Sequence, residues 1–262
     1  MRFCFFVLLL LLSSAAGYAA QERAAEIERR LEIADSLHSV GRTDSAAVVG
    51  EKTIRLAHEY SDPALIVGAH AAQGVFLRSL GKIDEALKNY DEALEIVTSG
   101  KFRENPSQEA IEQIASLYIN LAVLNLDMQH KDDAVKNAEL SGEWTGKSDD
   151  AELKSVIYGA VGSVLTGCGE LEKALKYQKL AYDNALASDN HDSAFRAAAY
   201  TMLIADRLGD RREAQLQRER CEKLLPEIEA MMSRLVYYQA ECSICMKHDD
   251  NSGAVKWFEK IL

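Results

Sequence analysis

Between residues 67 and 97 the chain reads VGAHAAQGVFLRSLGKIDEALKNYDEALEIV, and its apolar and small positions fall into two runs. The first holds Ala71, Gly74, Leu77 and Leu80; the second holds Ala86, Leu87, Tyr90, Ala93, Leu94 and Val97. Steps of three and four place each run on one face of a helix, with polar residues on the other. The runs meet at Gly81, where a glycine ends a helix in the left-handed conformation without a Cβ penalty. The stretch therefore predicts two antiparallel helices joined by a tight turn. Gly74 and Ala86, which flank that turn, are small enough to let the helices approach closely.

The same pattern recurs along the chain. The residue five after each turn is Ala46, Ala86, Ala134, Ala174, Ala214 and Ala254, at intervals of 40, 48, 40, 40 and 40 residues. The turn itself holds Gly41, Gly81, Gln129, Gly169, Gly209 and Asp249. Seven residues before it stand Ala34, Gly74, Ala122, Gly162, Met202 and Cys242, mostly small. Eleven before it, Tyr118, Tyr158 and Tyr238 supply a large aromatic, and Pro226 falls where a second helix should stop. These positions resemble the tetratricopeptide (TPR) repeat, a helix-turn-helix unit of 34 residues. The resemblance covers essentially everything after about Ala24. Three departures mark it: a period of 40, Met202 at a small position and Gln129 at a glycine position. The longer period adds about two helical turns to each repeat.

The resemblance implies an all-α fold, a right-handed α-solenoid of about six antiparallel hairpins forming a TPR-like superhelix. The hairpins are expected at 24–60, 62–99, 107–142, 150–188, 192–225 and 231–262. Asp62 followed by Pro63 reads as a cap and first turn. The polar break GKFRENPS, residues 100–107, or an extended helix after it accommodates the longer interval, with Ser107 or Asn105-Pro106 opening the third hairpin, and residues 141–150 close it. Composition agrees: 48% hydrophobic, 7% aromatic and three prolines suit a helical array whose core is a seam between hairpins. The sixth hairpin stops while Val255, Phe258 and Ile261 still need cover, which suggests that the chain is a piece of a longer protein or is covered by a partner.

Residues 1–20 have the layout of a signal peptide. Met1 and Arg2 precede an unbroken apolar run from Phe3 to Leu12, and Gly17 and Ala19 offer a small-x-small cleavage site. The run is too short to span a bilayer, so residues 21–262 are expected as an exported chain, periplasmic or extracellular, without a membrane span. The net charge is −11, and no basic stripe with interleaved aromatics is present, so nucleic acid is a poor partner for this segment.

Candidate chemistry is sparse. Cys242 and Cys245 form a C-x-x-C on predicted inward positions of one helix; without a βαβ context or a second such pair they read as small core residues. Thr145-Gly146-Lys147-Ser148 mimics the end of a phosphate-binding loop, but Ser141 stands where the first glycine is required and no strand precedes it. The six histidines lack metal-ligand spacing. No catalytic residue, metal site or cofactor is assigned, and the expectation is a protein that is not an enzyme.

In the TPR family the first helix of each hairpin lines a concave groove that takes extended peptides or helices. Carried onto this chain, the groove positions are Val75 and Arg78 in the second hairpin, and Ile119, Asn120 and Val123 in the third. Ser163 follows in the fourth, Arg196, Leu203 and Arg207 in the fifth, and Gln239 in the sixth. An apolar centre with cations toward one end suits a peptide with an acidic or carboxylate end. The lysine, asparagine and arginine clamp of chaperone-binding TPR domains is not reproduced: Asn120 matches one place, but Gly68, Ala72 and Val156 occupy others. The first expectation is thus an exported scaffold for a peptide or protein segment. A second is the extracytoplasmic sensor half of a membrane-bound transcriptional regulator or kinase, since exported arrays of this period resemble such bacterial ectodomains. A third is a homodimer formed through the uncovered C-terminal hairpin.

Overall fold

In the computed structural model, residues 2–99 and 106–262 are described, with side chains from residue 21 onward. The expected leader and most of the polar break at 100–107 therefore lie outside the described side chains. The described residues form twelve α-helices and one 3₁₀ turn, with no strand among them, so the fold is all-α and built from helical repeats. The helices are α1 (Arg2–Ser39), α2 (Thr43–Tyr60), α3 (Pro63–Ser79), α4 (Ile83–Thr98), α5 (Gln108–Asp127) and α6 (Lys131–Thr145). They continue with α7 (Ala151–Cys168), α8 (Leu171–Ala187), α9 (His191–Leu208), α10 (Arg211–Leu224), α11 (Met231–Lys247) and α12 (Asn251–Phe258). Two compact units divide the chain, residues 1–120 and 121–262.

Each odd-numbered helix ends in the same device. Gly41, Gly81, Gln129, Gly169, Gly209 and Asp249 all have positive φ, between 58° and 93°. At each, the following amide reaches back five residues, as Lys82 N–H does to Leu77 O (2.9 Å) and Glu170 N–H to Leu165 O (2.9 Å). This is the Schellman closure, which satisfies carbonyls that the helix end would otherwise strand. Helix starts are equally explicit. Asp62 accepts from Ala64 N–H and Leu65 N–H, with Pro63 in the first turn. Ser107 Oγ accepts from Ala110 N–H at 3.2 Å and caps α5.

The even-numbered helices share one buried register. In α2 it is Ala46, Gly50, Thr53 and Ala57; in α4, Ala86, Tyr90, Ala93 and Val97; in α8, Ala174, Gln178, Ala181 and Ala185. Steps of four, three and four keep these residues on one face. The alanine of the repeat is buried in all six hairpins. In the first unit α3 packs against α1, α2 and α4; in the second, α8 lies against α7 and α9, and α9 also against α10 and α11. Met202, large where a small residue is expected, is fully buried among Phe195, Cys221, Ile228 and Tyr237. Residues 141–145, which the sequence suggests as a closing loop, instead extend α6: Ser141, Gly142, Trp144 and Thr145 are buried helical residues. Lys147 then sits over the Trp144 ring at 3.5 Å, and Pro226 lies in the 3₁₀ turn that ends α10.

Candidate binding clefts on the first helices

Three clefts of the two units lie largely along the odd-numbered helices, where the sequence places small residues between larger ones. In the first unit, α1, α3 and α5 line a cleft of about 450 Å³. Its floor is Gly68, Ala72 and Val75, and its walls carry Glu32 and Asp35 from α1 and Asn120 from α5. Gly68 lies close under Gln113, whose amide oxygen would have to shift to admit a Cβ, 2.7 Å away. The α1 side of this cleft is acidic. Burial pushes the Asp35 carboxyl up, and Glu109 is raised by burial and by the neighbouring Asp62, Glu28 and Glu112.

In the second unit, α7, α8, α9 and α11 line a cleft of about 240 Å³. Ser155 and Gly159 face Arg196 and Tyr200 across it, with Gln178 and Val236 completing the lining. Another depression of about 340 Å³ is formed by Leu203, Asp206, Arg207, Ser243 and Lys247. Its polar groups are tied together: Asp206 accepts from Lys247 Nζ at 2.9 Å and from His248 Nε2 at 2.8 Å. Burial raises the Asp206 carboxyl, but these two donors outweigh it and hold the group below the usual carboxylate range.

The groove positions expected from the sequence are thus distributed unevenly. Val75 and Asn120 share the first-unit cleft, and Leu203 and Arg207 share the second-unit depression, while Arg196 occupies the separate Gln178 cleft. Arg78 is half-buried on α3. Ile119 is only 7% exposed and belongs to the core, so it presents little surface to a ligand. Val123 and Ser163 are half-buried, and the Ser163 hydroxyl is spent on Gly159 O at 2.9 Å. Gln239 is exposed on α11, outside the three clefts described. The first-unit cleft carries an acidic wall instead of a cationic one, from Glu28, Glu32 and Asp35. Gln178, Tyr200 and Ser155 were not among the expected positions; the signal available for Gln178 was the glycine at 162, which faces it.

The four cysteines from Cys168 onward carry free thiols. Burial, then Glu241 and Glu222, push Cys221 up to about 12, so it stays protonated and inert. Among the described residues no group of three or more His, Cys, Asp or Glu side chains is placed to hold a metal ion, and no helix is long and apolar enough to cross a membrane.

This architecture defines a helical-repeat protein of antiparallel hairpins. Residues 67–96 match the family model described as Tetratricopeptide repeat, the same stretch in which the repeat is clearest. No curated protein matches the chain. Among solved structures, BtubC (BKLC) from P. vanneervenii is similar at 16% identity and TM-score 0.59, over 90% of this chain and 89% of that one. A Rap protein complexed with Competence and Sporulation Factor is similar at 14% identity and TM-score 0.61, over 90% and 74% of the two chains. A thermophilic TPR protein of Thermus thermophilus is similar at 16% identity and TM-score 0.52, over 82% and 98%. At such identities the likeness concerns the fold.

Proposed function

We propose that the chain is a non-catalytic scaffold that binds an extended peptide or protein segment along its first helices. One observation carries the reading: in each unit successive first helices line the cleft, α1, α3 and α5 in one, and α7, α9 and α11 in the other, where the second helix α8 adds Gln178 and Ala181. Small residues on these faces leave room, and backbone-sized openings with scattered polar groups suit a chain better than a compact molecule. The similarity to a Rap protein complexed with Competence and Sporulation Factor supports a protein-binding role for the fold. Folds of this repeat type are generally scaffolds.

The test is selection of binders from a random dodecapeptide display library, followed by calorimetry with the selected synthetic peptides. Binding to the parent chain, lost in Val75→Glu or Leu203→Glu while helical content stays unchanged, supports the proposal. Failure to select any peptide that binds in calorimetry rejects it. Export is proposed on the sequence alone, from the apolar run 3–12. N-terminal sequencing of secreted material should begin shortly after residues 17–20; material that retains residue 2 at its start would count against cleavage.

A further inference from the structure

Gln178 is fully buried, yet it lines the second-unit cleft. Its Nε2 donates to the Gly159 carbonyl oxygen at 3.0 Å, and only this orientation of the amide allows that bond. The other end, Oε1, then has no donor among the described residues. The neighbouring helix makes room for the side chain: a Cβ at Gly162 would stand 2.7 Å from Nε2. An acceptor kept in position but unpartnered is costly, and replacing it by an apolar residue of the same shape would relieve that cost. Such a group invites a donor from outside the chain.

The opposite wall offers the complementary half. Arg196 Nε likewise has no hydrogen-bond partner among the described residues, and Nη2 makes only a long contact with Ser193 Oγ at 3.3 Å. The Asp192 carboxylate lies 3.5 Å from Nε, close enough to balance the guanidinium charge without a formed hydrogen bond. Asp192 is itself engaged by Ser233 Oγ at 2.8 Å. The cleft therefore presents an unpartnered acceptor, Gln178 Oε1, opposite the donors of the Arg196 guanidinium, whose charge is balanced by Asp192 with its own Oδ1 unpartnered, between the small side chains of Ala160, Ala181 and Ala197. A peptide unit has one N–H and one C=O, is neutral, and fits a volume of about 240 Å³, below the usual range for drug-sized ligands.

We infer that this cleft binds the main chain of an extended, small-residue peptide segment, its N–H donating to Gln178 Oε1 and its C=O accepting from the Arg196 guanidinium. This rests on the scaffold reading above and deepens it. A small rotation about the terminal glutamine torsion, which is broad, aims Oε1 at the incoming amide. Recognition through the main chain makes this cleft tolerant of sequence, provided the side chain is small. Specificity then lies elsewhere along the ligand.

The test is an ¹⁵N NMR titration of the full chain with the blocked dipeptide N-acetyl-Ala-Ala-methylamide, with acetate and methylammonium as charged controls. Saturable shifts of the Gln178 side-chain NH₂ and of Arg196 Nε–H are expected with the dipeptide and not with either ion. Gln178→Met should weaken binding at least about tenfold while the thermal midpoint holds or rises, since the buried acceptor is gone. A silent titration, undiminished binding by Gln178→Met, or shifts at Arg196 with acetate alone would overturn the inference. If library-selected peptides still bind the Gln178→Met chain fully, this cleft is excluded while the scaffold reading survives. If no selected peptide binds the parent, both fall.

Discussion

At the scale of single residues, the hairpin is held by a pairing of sizes across its two helices. Seven residues before the turn stands Gly74, and nine after it Tyr90; a Cβ on Gly74 would lie 2.3 Å from the Tyr90 ring. Tyr90 is fully buried and cannot swing aside. Gly162 and Gln178 occupy the same two places in the fourth hairpin, with the same close approach. Gly74→Ala should therefore destabilise the chain. The helix-propensity gain of about 1 kcal/mol is outweighed by overpacking of roughly 1–3 kcal/mol. Gly159→Ala is the control, because its Cβ would meet Ala181 at an ordinary 3.9 Å and only the propensity gain remains. Thermal denaturation of the two variants should move in opposite directions.

At this scale the turns and the buried alanines were legible in the sequence, because a left-handed turn and a close helix contact each admit few residue types. Even the two irregular turn residues, Gln129 and Asp249, take φ of 63° and 58°, which the fixed period locates although their identity does not. The candidate site was less legible. Val75, Asn120, Leu203 and Arg207 line clefts, but Ile119 turned inward and Gln178 went unseen. The place ten before the turn is buried in the second and fifth hairpins as well, at Ala71 and Ala199, so the groove offset itself pointed inward at Ile119. A glutamine on a buried face has no periodic signature; only its pairing with a glycine at 162, mirrored by Gly74 and Tyr90, could have marked it.

Between elements, polar groups fix two junctions that the apolar pattern leaves unspecified. Arg218 of α10 holds the Glu241 carboxylate of α11 with two bonds, Nε to Oε1 at 2.6 Å and Nη2 to Oε2 at 2.8 Å. Tyr237 Oη donates to the same carboxylate at 3.1 Å, and burial with Glu241 pushes that phenol well above its ordinary range. Glu241 is 2% exposed, so Arg218→Met strands a buried charge and should cost about 3–5 kcal/mol. Adding Glu241→Leu should recover part of the loss, since the stranded charge is gone, while the buried Tyr237 hydroxyl, left without its acceptor, retains a cost of about 1–3 kcal/mol. Urea denaturation of the single and double variants measures this directly; a double variant as weak as the single would contradict it.

The junction of α2, α3 and α4 is a histidine relay. Asn89 Nδ2 donates to Glu85 O at 2.9 Å, which turns its Oδ1 toward His70 Nδ1 at 3.0 Å. His70 Nδ1–H is then the donor, and its Nε2 accepts from His58 Nε2–H at 3.0 Å. Burial holds His70 below its ordinary value, outweighing the opposite pulls of Asn89 and Glu92, while His58 adds to the lowering. The unfolded chain therefore takes up a proton near pH 6.5 that the folded one refuses, so stability falls as pH drops from about 7.5 to 5.5. His70→Gln should flatten that segment of the thermal profile. Asp206 and Glu213, whose carboxyls are held low, lose their contributions below about pH 5, as pH falls past their unfolded values, so the two effects separate on the pH axis.

For the whole chain, the deciding quantity is a formal charge of −11, against ion pairs many of which, such as Arg30–Glu26, Arg55–Glu51 and Lys88–Glu92, join residues three or four apart on one helix. Exposed pairs of that kind contribute about 0–1 kcal/mol each and are partly kept even in the unfolded chain's local structure. Repulsion among excess carboxylates acts over the whole surface and favours expansion. Raising NaCl from about 10 to 150 mM shortens the screening length from roughly 30 to 8 Å, which weakens long-range repulsion more than contacts at hydrogen-bond distance. The thermal midpoint should therefore rise with salt, by an amount on the order of 2–4 °C for each kcal/mol of relieved repulsion. A midpoint that falls over this range would mean that the pairs dominate, with inter-helix bridges such as Lys173–Glu139 and Lys179–Glu213 as the first to examine by substitution. The same titration bears on binding: a main-chain contact at Gln178 is neutral and should keep its affinity as salt rises, whereas a ligand drawn by Glu28, Glu32 and Asp35 should lose it.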